Sequence, residues 1–301
     1  MSALKKPLFT GTATAMTAPY DESGIDYSAM ARLIDRQLEQ GIRTLVINGT
    51  TGEAATLTEE ERSSLLRFSV NRCGNNAAVI AGIGGNNTSD AIRSALTAAD
   101  AGADGVLLTT PYYNKANPEG LRRHFWETAE ASPLPLIIYN VPGRTSVACS
   151  PELYRELAQH PNINGVKEAS GNISLISRTR RLCGDALNIW SGNDDQTLPA
   201  LSLGAKGVIS VASNVVPDRM NAMCRAFFRD RPEEARRIHE ELSELFEQLF
   251  SEVNPIPVKT ALHLMGLAPL CFRLPLAGMS PQNKSALLGC LRRLGLANKD
   301  K

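Results

Sequence analysis

The sequence predicts a closed (β/α)8 TIM barrel with a small C-terminal helical extension, and three observations predict it. Eight short runs rich in β-branched residues alternate with longer amphipathic segments over the first 230 positions. The runs are nearly continuous in apolar character, as expected of parallel strands covered on both faces. A phrase of helix end, glycine and strand also recurs, at Gln40-Gly41-Ile42, Ala101-Gly102-Ala103 and Leu203-Gly204-Ala205, and reads as a repeated unit with a glycine C-cap. An open doubly wound sheet is the alternative.

In order, the strand runs are Phe9–Thr17, Thr44–Asn48, Ala77–Ile83, Gly105–Thr109, Leu134–Asn140, Ile163–Glu168, Leu187–Gly192 and Gly207–Val211. The segments between them carry helix starts. Thr58-Glu59-Glu60-Glu61 has capping-box spacing. Asn117-Pro118 and Ser150-Pro151 each set a cap residue before a proline at the first helical position. After Asp230 no strand signal remains. Arg231–Ser251 places Ala235, Ile238, Leu242, Leu245, Phe246 and Leu249 at helical spacing. Pro255 and Pro257 break that helix, and Val258–Met265 and Pro281–Leu294 read as two more. The expected division is a barrel over residues 1–230 and a helical extension over 231–301.

The 301 residues, 43% hydrophobic, suit one barrel of about 250 residues with an addition. Thirty-two basic against thirty-one acidic residues argue against a nucleic-acid surface or a polybasic membrane anchor. The six cysteines are scattered without a CxxC pair, as buried free thiols of a reducing compartment would be. The start lacks the apolar core of a signal peptide. The apolar stretch Leu262–Gly278 is broken by Pro269, Arg273 and Pro275, so no membrane span is expected. The protein is read as cytoplasmic. None of His124, His160, His239 and His263 ends a strand, so no catalytic metal is expected. Gly82-Ile83-Gly84-Gly85-Asn86-Asn87 lacks the last glycine of a dinucleotide loop. Asp194-Asp195 reads as a cap for the following helix, with a cation site as the alternative.

In such a barrel the chemistry sits where strands end at their C-terminal side. Five blocks converge there: Gly49-Thr50-Thr51-Gly52-Glu53, Pro111-Tyr112-Tyr113-Asn114, Tyr139-Asn140 with Val141-Pro142-Gly143-Arg144-Thr145, Val166-Lys167-Glu168, and Ser191-Gly192-Asn193-Asp194-Asp195. Lys167 ends an apolar strand. Desolvation there favours the neutral amine, a nucleophile that forms a Schiff base with a keto group. The alternative is a rim lysine paired with a carboxylate. Lys206 lies on the opposite face, Lys115 in a polar loop, and Lys259 in the C-terminal helices. Thr50 and Thr51 between glycines offer a carboxylate cradle or a plain tight turn. Tyr139 and Tyr113 offer phenols for proton transfer or simple packing. Arg144 offers a bidentate clamp for a carboxylate or a rim salt bridge.

Together these blocks resemble the 4-hydroxy-tetrahydrodipicolinate synthase (dihydrodipicolinate synthase) family, within the pyruvate-dependent class I aldolases that include N-acetylneuraminate lyase. The likeness runs from Gly11-Thr12-Ala13-Thr14-Ala15-Met16-Thr17 to Asn254-Pro255-Ile256-Pro257-Val258-Lys259, and Val141–Thr145 points to the synthases. The resemblance implies that Lys167 forms an imine with pyruvate and that no separate cofactor is needed. It implies a proton relay of Tyr139, Thr50 and Tyr113, with Tyr113 reaching a neighbouring subunit's site. Thr51 and Ile209 would hold the pyruvate carboxylate, Arg144 the carboxylate of the aldehyde, and Gly192 would line the pocket. The implied acceptor is L-aspartate 4-semialdehyde, on the route to diaminopimelate and lysine, and the implied assembly is a homotetramer made of two tight dimers. Asn86, Asp90 and Tyr112 match a lysine-binding allosteric site, but Glu59 and Arg62 stand where sensitive members carry a histidine pair. Weak or absent lysine inhibition is expected, which micromolar inhibition in an assay would overturn. Two other readings are a related aldolase, lyase or dehydratase acting on another aldehyde or a 2-keto-3-deoxy acid, and a non-catalytic keto-acid-binding barrel.

Overall fold

In the computed structural model, which describes residues 4–297, each of the eight runs supplies one barrel strand. They are β1 Gly11–Ala15, β2 Thr44–Ile47, β3 Ala78–Gly82, β4 Gly105–Thr109, β5 Leu136–Asn140, β6 Ile163–Glu168, β7 Asn188–Ser191 and β8 Gly207–Ser210. Every neighbouring pair is parallel, and β8 returns to β1 with Gly207 opposite Gly11, which closes the barrel. The open-sheet alternative is thereby excluded.

Around the barrel run α1 Tyr27–Glu39, α2 Glu59–Cys73, α3 Thr88–Asp100, α4 Pro118–Ala131, α5 Pro142–Thr145, α6 Pro151–Leu157, α7 Ile173–Cys183, α8 Thr197–Ser202 and α9 Pro217–Phe228. The capping box at Thr58 and Glu61 forms in both directions. Asn117 and Ser150 cap α4 and α6, accepting from the Gly120 and Leu153 amides. The recurring glycines Gly41, Gly102 and Gly204 have φ of 83°, 84° and 92°, a left-handed conformation that ends each helix and turns the chain into the next strand. A small antiparallel hairpin, Tyr20–Asp21 with Gly24–Ile25, was not expected. Its two-residue strands are too short to leave a periodic trace.

The core has two layers. Inside the barrel, Ala13, Val46, Ile80, Leu107, Ile137, Trp190 and Ile209 pack together. Trp190 fills the interior. Its ring stacks on Phe9 at 4.9 Å and its indole N–H donates to the Phe9 carbonyl at 3.2 Å. Gly165 makes room for it, since a Cβ there would lie 2.6 Å from the Trp190 ring. Between strands and helices lies the larger apolar shell that includes Leu45, Val106, Ile138 and Val166. Interior and exterior positions alternate along each strand.

The extension consists of α10 Pro232–Gln248, α11 Ile256–Leu264 and α12 Pro281–Arg293. Leu242, Leu245, Phe246 and Val258 share one apolar cluster with Val208, Val215 and Met220, so these helices pack against the end of the barrel. One pairing departs from uniform register. Leu136 pairs with Ile163, but Ile137 pairs with Gly165, so β6 bulges by one residue before Tyr139 meets Lys167 and Asn140 meets Glu168.

Candidate active site

The strand ends form a recess of about 70 Å³ at the C-terminal mouth of the barrel, lined among others by Lys167, Tyr139, Thr50, Thr51, Arg144 and Gly192. Thr50, Tyr139, Arg144 and Asn254 also line an adjoining outer chamber of about 440 Å³. The recess thus has an inner end at Lys167 and a roomier approach past Arg144.

Lys167 is 6% exposed, and its Nζ lies 4.2 Å from the centre of the Tyr139 ring. Strand pairing puts these two residues side by side. Lys167 makes no ion pair among the described residues, which removes the rim salt bridge as the reason for its position. Gly192 gives the lysine its space. A Cβ at that position would lie 2.6 Å from the Ala169 Cβ and 3.1 Å from the Lys167 Cε.

Thr50–Gly52 form a single 3-10 turn after Gly49, and Glu53 leaves it with φ of 53°. The Thr51 hydroxyl accepts from the Asn254 side-chain amide at 3.0 Å. The Arg144 guanidinium donates to the Asn254 carbonyl at 2.9 Å. Asn254, from the loop between α10 and α11, therefore joins the threonine turn to the arginine. Its place before Pro255 was legible in the sequence, but no role was assigned to it.

The threonine turn is fastened a second time. The Glu53 carboxylate forms a buried ion pair with the Lys259 ammonium of α11. Lys259 Nζ lies 4.2 Å over the Tyr20 ring. Burial pulls the Lys259 pKa below its ordinary value, and the Glu53 carboxylate opposes that shift. The Arg273 backbone amide adds a hydrogen bond to Glu53 at 3.3 Å, while its guanidinium meets Glu61 at 2.6 Å.

Asp194 corrects an expectation. Its carboxylate does not cap α8. It accepts from the Val211 and Ala212 amides at 3.0 and 2.9 Å and caps the turn after β8. Burial raises its pKa, and its hydrogen bonds and the Lys167 charge oppose the rise.

Other expected residues lie elsewhere. Ile209 is fully buried in the barrel interior, and Val211, two positions on, lines the recess instead. Tyr113 is 89% exposed with φ of 68°, outside the recess of its own chain. Tyr112 lines the outer chamber. The Asn86 carbonyl accepts from the Asn114 amide at 2.8 Å, and Asp90 pairs with Arg93. Glu59 and Arg62 line a cavity of about 130 Å³ between α2 and α3, and Arg62 also lines the outer chamber. Among the described residues, no three His, Cys, Asp or Glu side chains converge as a metal site, and no helix is long and apolar enough to cross a membrane.

A family model described as the dihydrodipicolinate synthetase family matches residues 8–293. The chain belongs to this family. A 4-hydroxy-tetrahydrodipicolinate synthase of Persephonella marina is 45% identical over 291 residues, covering 96% of this chain and 99% of that one. One from Thermoanaerobacter sp. is 44% identical over 96% of this chain and 98% of its own. Among solved structures, the dihydrodipicolinate synthase of Aquifex aeolicus superposes with a TM-score of 0.95 at 42% identity, covering 97% of this chain and all of that one. Membership of the dihydrodipicolinate synthetase family thus spans the barrel and most of the extension together.

Proposed function

We propose that this chain is a Schiff-base lyase that condenses pyruvate with L-aspartate 4-semialdehyde to 4-hydroxy-tetrahydrodipicolinate, in the biosynthesis of diaminopimelate and lysine. The observation that carries the reading is Lys167: a buried amine at the inner end of the recess, with no ion pair among the described residues and the Tyr139 ring 4.2 Å away. The Lys167 nitrogen adds to the pyruvate ketone, and loss of water gives the imine. Loss of a methyl proton converts the imine to an enamine, whose carbon attacks the aldehyde. The acceptor's own amino group then displaces Lys167 and closes the ring, so the lysine returns unchanged. The imine on Lys167 is the electron sink, and no separate cofactor enters the scheme.

Each step moves a proton, and the relay assigned to it is Tyr139, Thr50 and Tyr113. The lining of the recess by Tyr139 and Thr50 supports this. Thr51 and Ile209 are assigned to the pyruvate carboxylate. Arg144 is assigned to the acceptor carboxylate, because it stands where inner recess and outer chamber meet. The exposure of Tyr113 supports a further assignment: it completes the relay of a second copy in a homotetramer built from two tight dimers. The six free thiols suit a cytoplasmic enzyme. Weak or absent lysine inhibition is retained from Glu59 and Arg62.

The deciding experiment is turnover of pyruvate with L-aspartate 4-semialdehyde, read as NADPH loss through a coupled reductase. Turnover that vanishes in Lys167→Ala is the expected result. Turnover that survives that substitution overturns the imine mechanism. Borohydride trapping of pyruvate on Lys167 without turnover would keep the imine and reassign the aldehyde. Mixing Lys167→Ala with Tyr113→Phe chains tests the assembly: activity above that of either variant is expected, and its absence counts against sharing of Tyr113.

A further inference from the structure

Directly behind the Lys167 and Tyr139 pair, on the opposite face of the same two strands, lies a second pair that the chemistry above does not use. Asn140 and Glu168 are register partners, as Tyr139 and Lys167 are, and successive residues of a strand point to opposite faces. The Asn140 side-chain amide sits 3.0 and 3.1 Å from the two oxygens of the Glu168 carboxylate. Tyr154 of α6 donates to the same carboxylate at 2.9 Å, and the Ser170 amide donates at 2.9 Å. The Asn140 side-chain oxygen in turn accepts from the Cys149 amide at 3.1 Å. The group is buried, and Glu168 has no cationic partner among the described residues.

A carboxylate in that setting costs free energy that an apolar pair would not, so strand pairing alone does not account for it. The bulge in β6 supplies the account. Since β6 gains a residue between Ile163 and Gly165, the register at the base of the pair does not by itself fix the register at the top, which rests on the pairs above the bulge, on the β6–β7 ladder that sets Lys167 opposite Trp190, and on side-chain contacts between the strands. A slip of one residue would turn Lys167 away from the recess. The contact between the Asn140 amide and the Glu168 carboxylate forms in one register only.

We propose that Asn140 and Glu168 are positioning residues: their clamp on the outer face of the barrel holds Lys167 and Tyr139 in attack register on the inner face. The clamp rests on the Schiff-base reading and deepens it.

The test combines steady-state turnover, the rate of borohydride trapping of pyruvate, and thermal unfolding. Glu168→Gln keeps the volume and one oxygen for Ser170 and Asn140, but replaces the second oxygen, which accepts from Asn140 and Tyr154, with an amide donor. Turnover and trapping are expected to fall at least about tenfold, since small misplacements of reacting groups are expensive. The unfolding temperature should stay near that of the parent. Asn140→Asp combined with Glu168→Gln restores one donor facing one acceptor, and both rates should recover. Parent-like rates in Glu168→Gln overturn the clamp, as does a loss that the double variant does not repair. If Glu168→Gln does not fold, Asn140→Ala removes the clamp's own donor and leaves the Glu168 carboxylate to Tyr154 and Ser170, and parent rates in that variant overturn the proposal. A parent protein that fails to trap pyruvate sinks the Schiff-base reading and the clamp with it. Trapping by the parent, with variants unaffected, sinks the clamp alone.

Discussion

Replacing Gly192 with alanine adds one methyl group against the stem of Lys167. The new Cβ would sit 2.6 Å from the Ala169 Cβ and 3.1 Å from the Lys167 Cε, with the Glu168 carbonyl oxygen at 3.2 Å. Carbon atoms rest about 3.5–4.0 Å apart, so the first contact is short by about 1 Å and the second by roughly half that. The Glu168 carbonyl belongs to β6 and already accepts from the Gly192 amide at 2.7 Å, so the backbone cannot retreat freely. Overpacking of this kind costs roughly 1–3 kcal/mol of stability. The functional cost should be larger. The Lys167 side chain is the freer partner and would be driven from its place beside Tyr139, and about 1 Å of misplacement costs on the order of a hundredfold in rate. Turnover with pyruvate and aldehyde, the trapping rate and thermal unfolding should be measured together. Gly278→Ala is the control, since its Cβ would meet nothing within 4 Å. Parent-like turnover in a folded Gly192→Ala protein would refute the close-approach argument.

Lys259→Met leaves the Glu53 carboxylate buried without its partner and should destabilise the protein by roughly 3–5 kcal/mol in denaturant titration. Adding Glu53→Gln should return most of that loss, and a double variant as weak as the single would contradict the ion-pair account. Thr51→Val deprives the Asn254 amide of its acceptor. It should cost about 1–3 kcal/mol and raise the pyruvate KM, whereas an unchanged KM would separate Thr51 from substrate binding. Burial pulls the His124 pKa down to about 4, so the folded state holds this ring neutral while the unfolded chain takes a proton near pH 6.5. The unfolded state then binds more protons, and stability should fall as pH drops from about 6.5 towards 4, by up to about 1.4 kcal/mol per pH unit. His124→Asn, able to keep the hydrogen bond to Thr88, should flatten that slope in unfolding curves taken across the window.

The barrel strands were legible because burial on both faces writes itself as an unbroken apolar run. The glycines at 41, 102 and 204 marked the turns because their left-handed backbone suits glycine above other residues. Contacts between distant parts of the chain left no such trace. Lys259 read as one more helix lysine, because the carboxylate that buries it lies 206 residues earlier. Asn254 could be seen before its proline, but its hold on Thr51 and Arg144 depends on how the extension folds back. Asp194 was read with its nearest helix, whereas its side chain reaches the turn after β8. The strand-end logic did place Lys167, Tyr139, Thr50, Thr51, Arg144 and Gly192 around one recess.

The tie between Thr51 and Asn254 also bears on the order in which the protein gains its competence during synthesis. The barrel cannot close until β8 has left the ribosome and met β1, near residue 210. Even then the threonine turn lacks Asn254, and Glu53 lacks Lys259. A nascent chain that has finished its barrel is therefore still a scaffold, with Lys167 in place and one wall of the recess yet to emerge. Catalytic competence arrives late, after most of the fold that carries it.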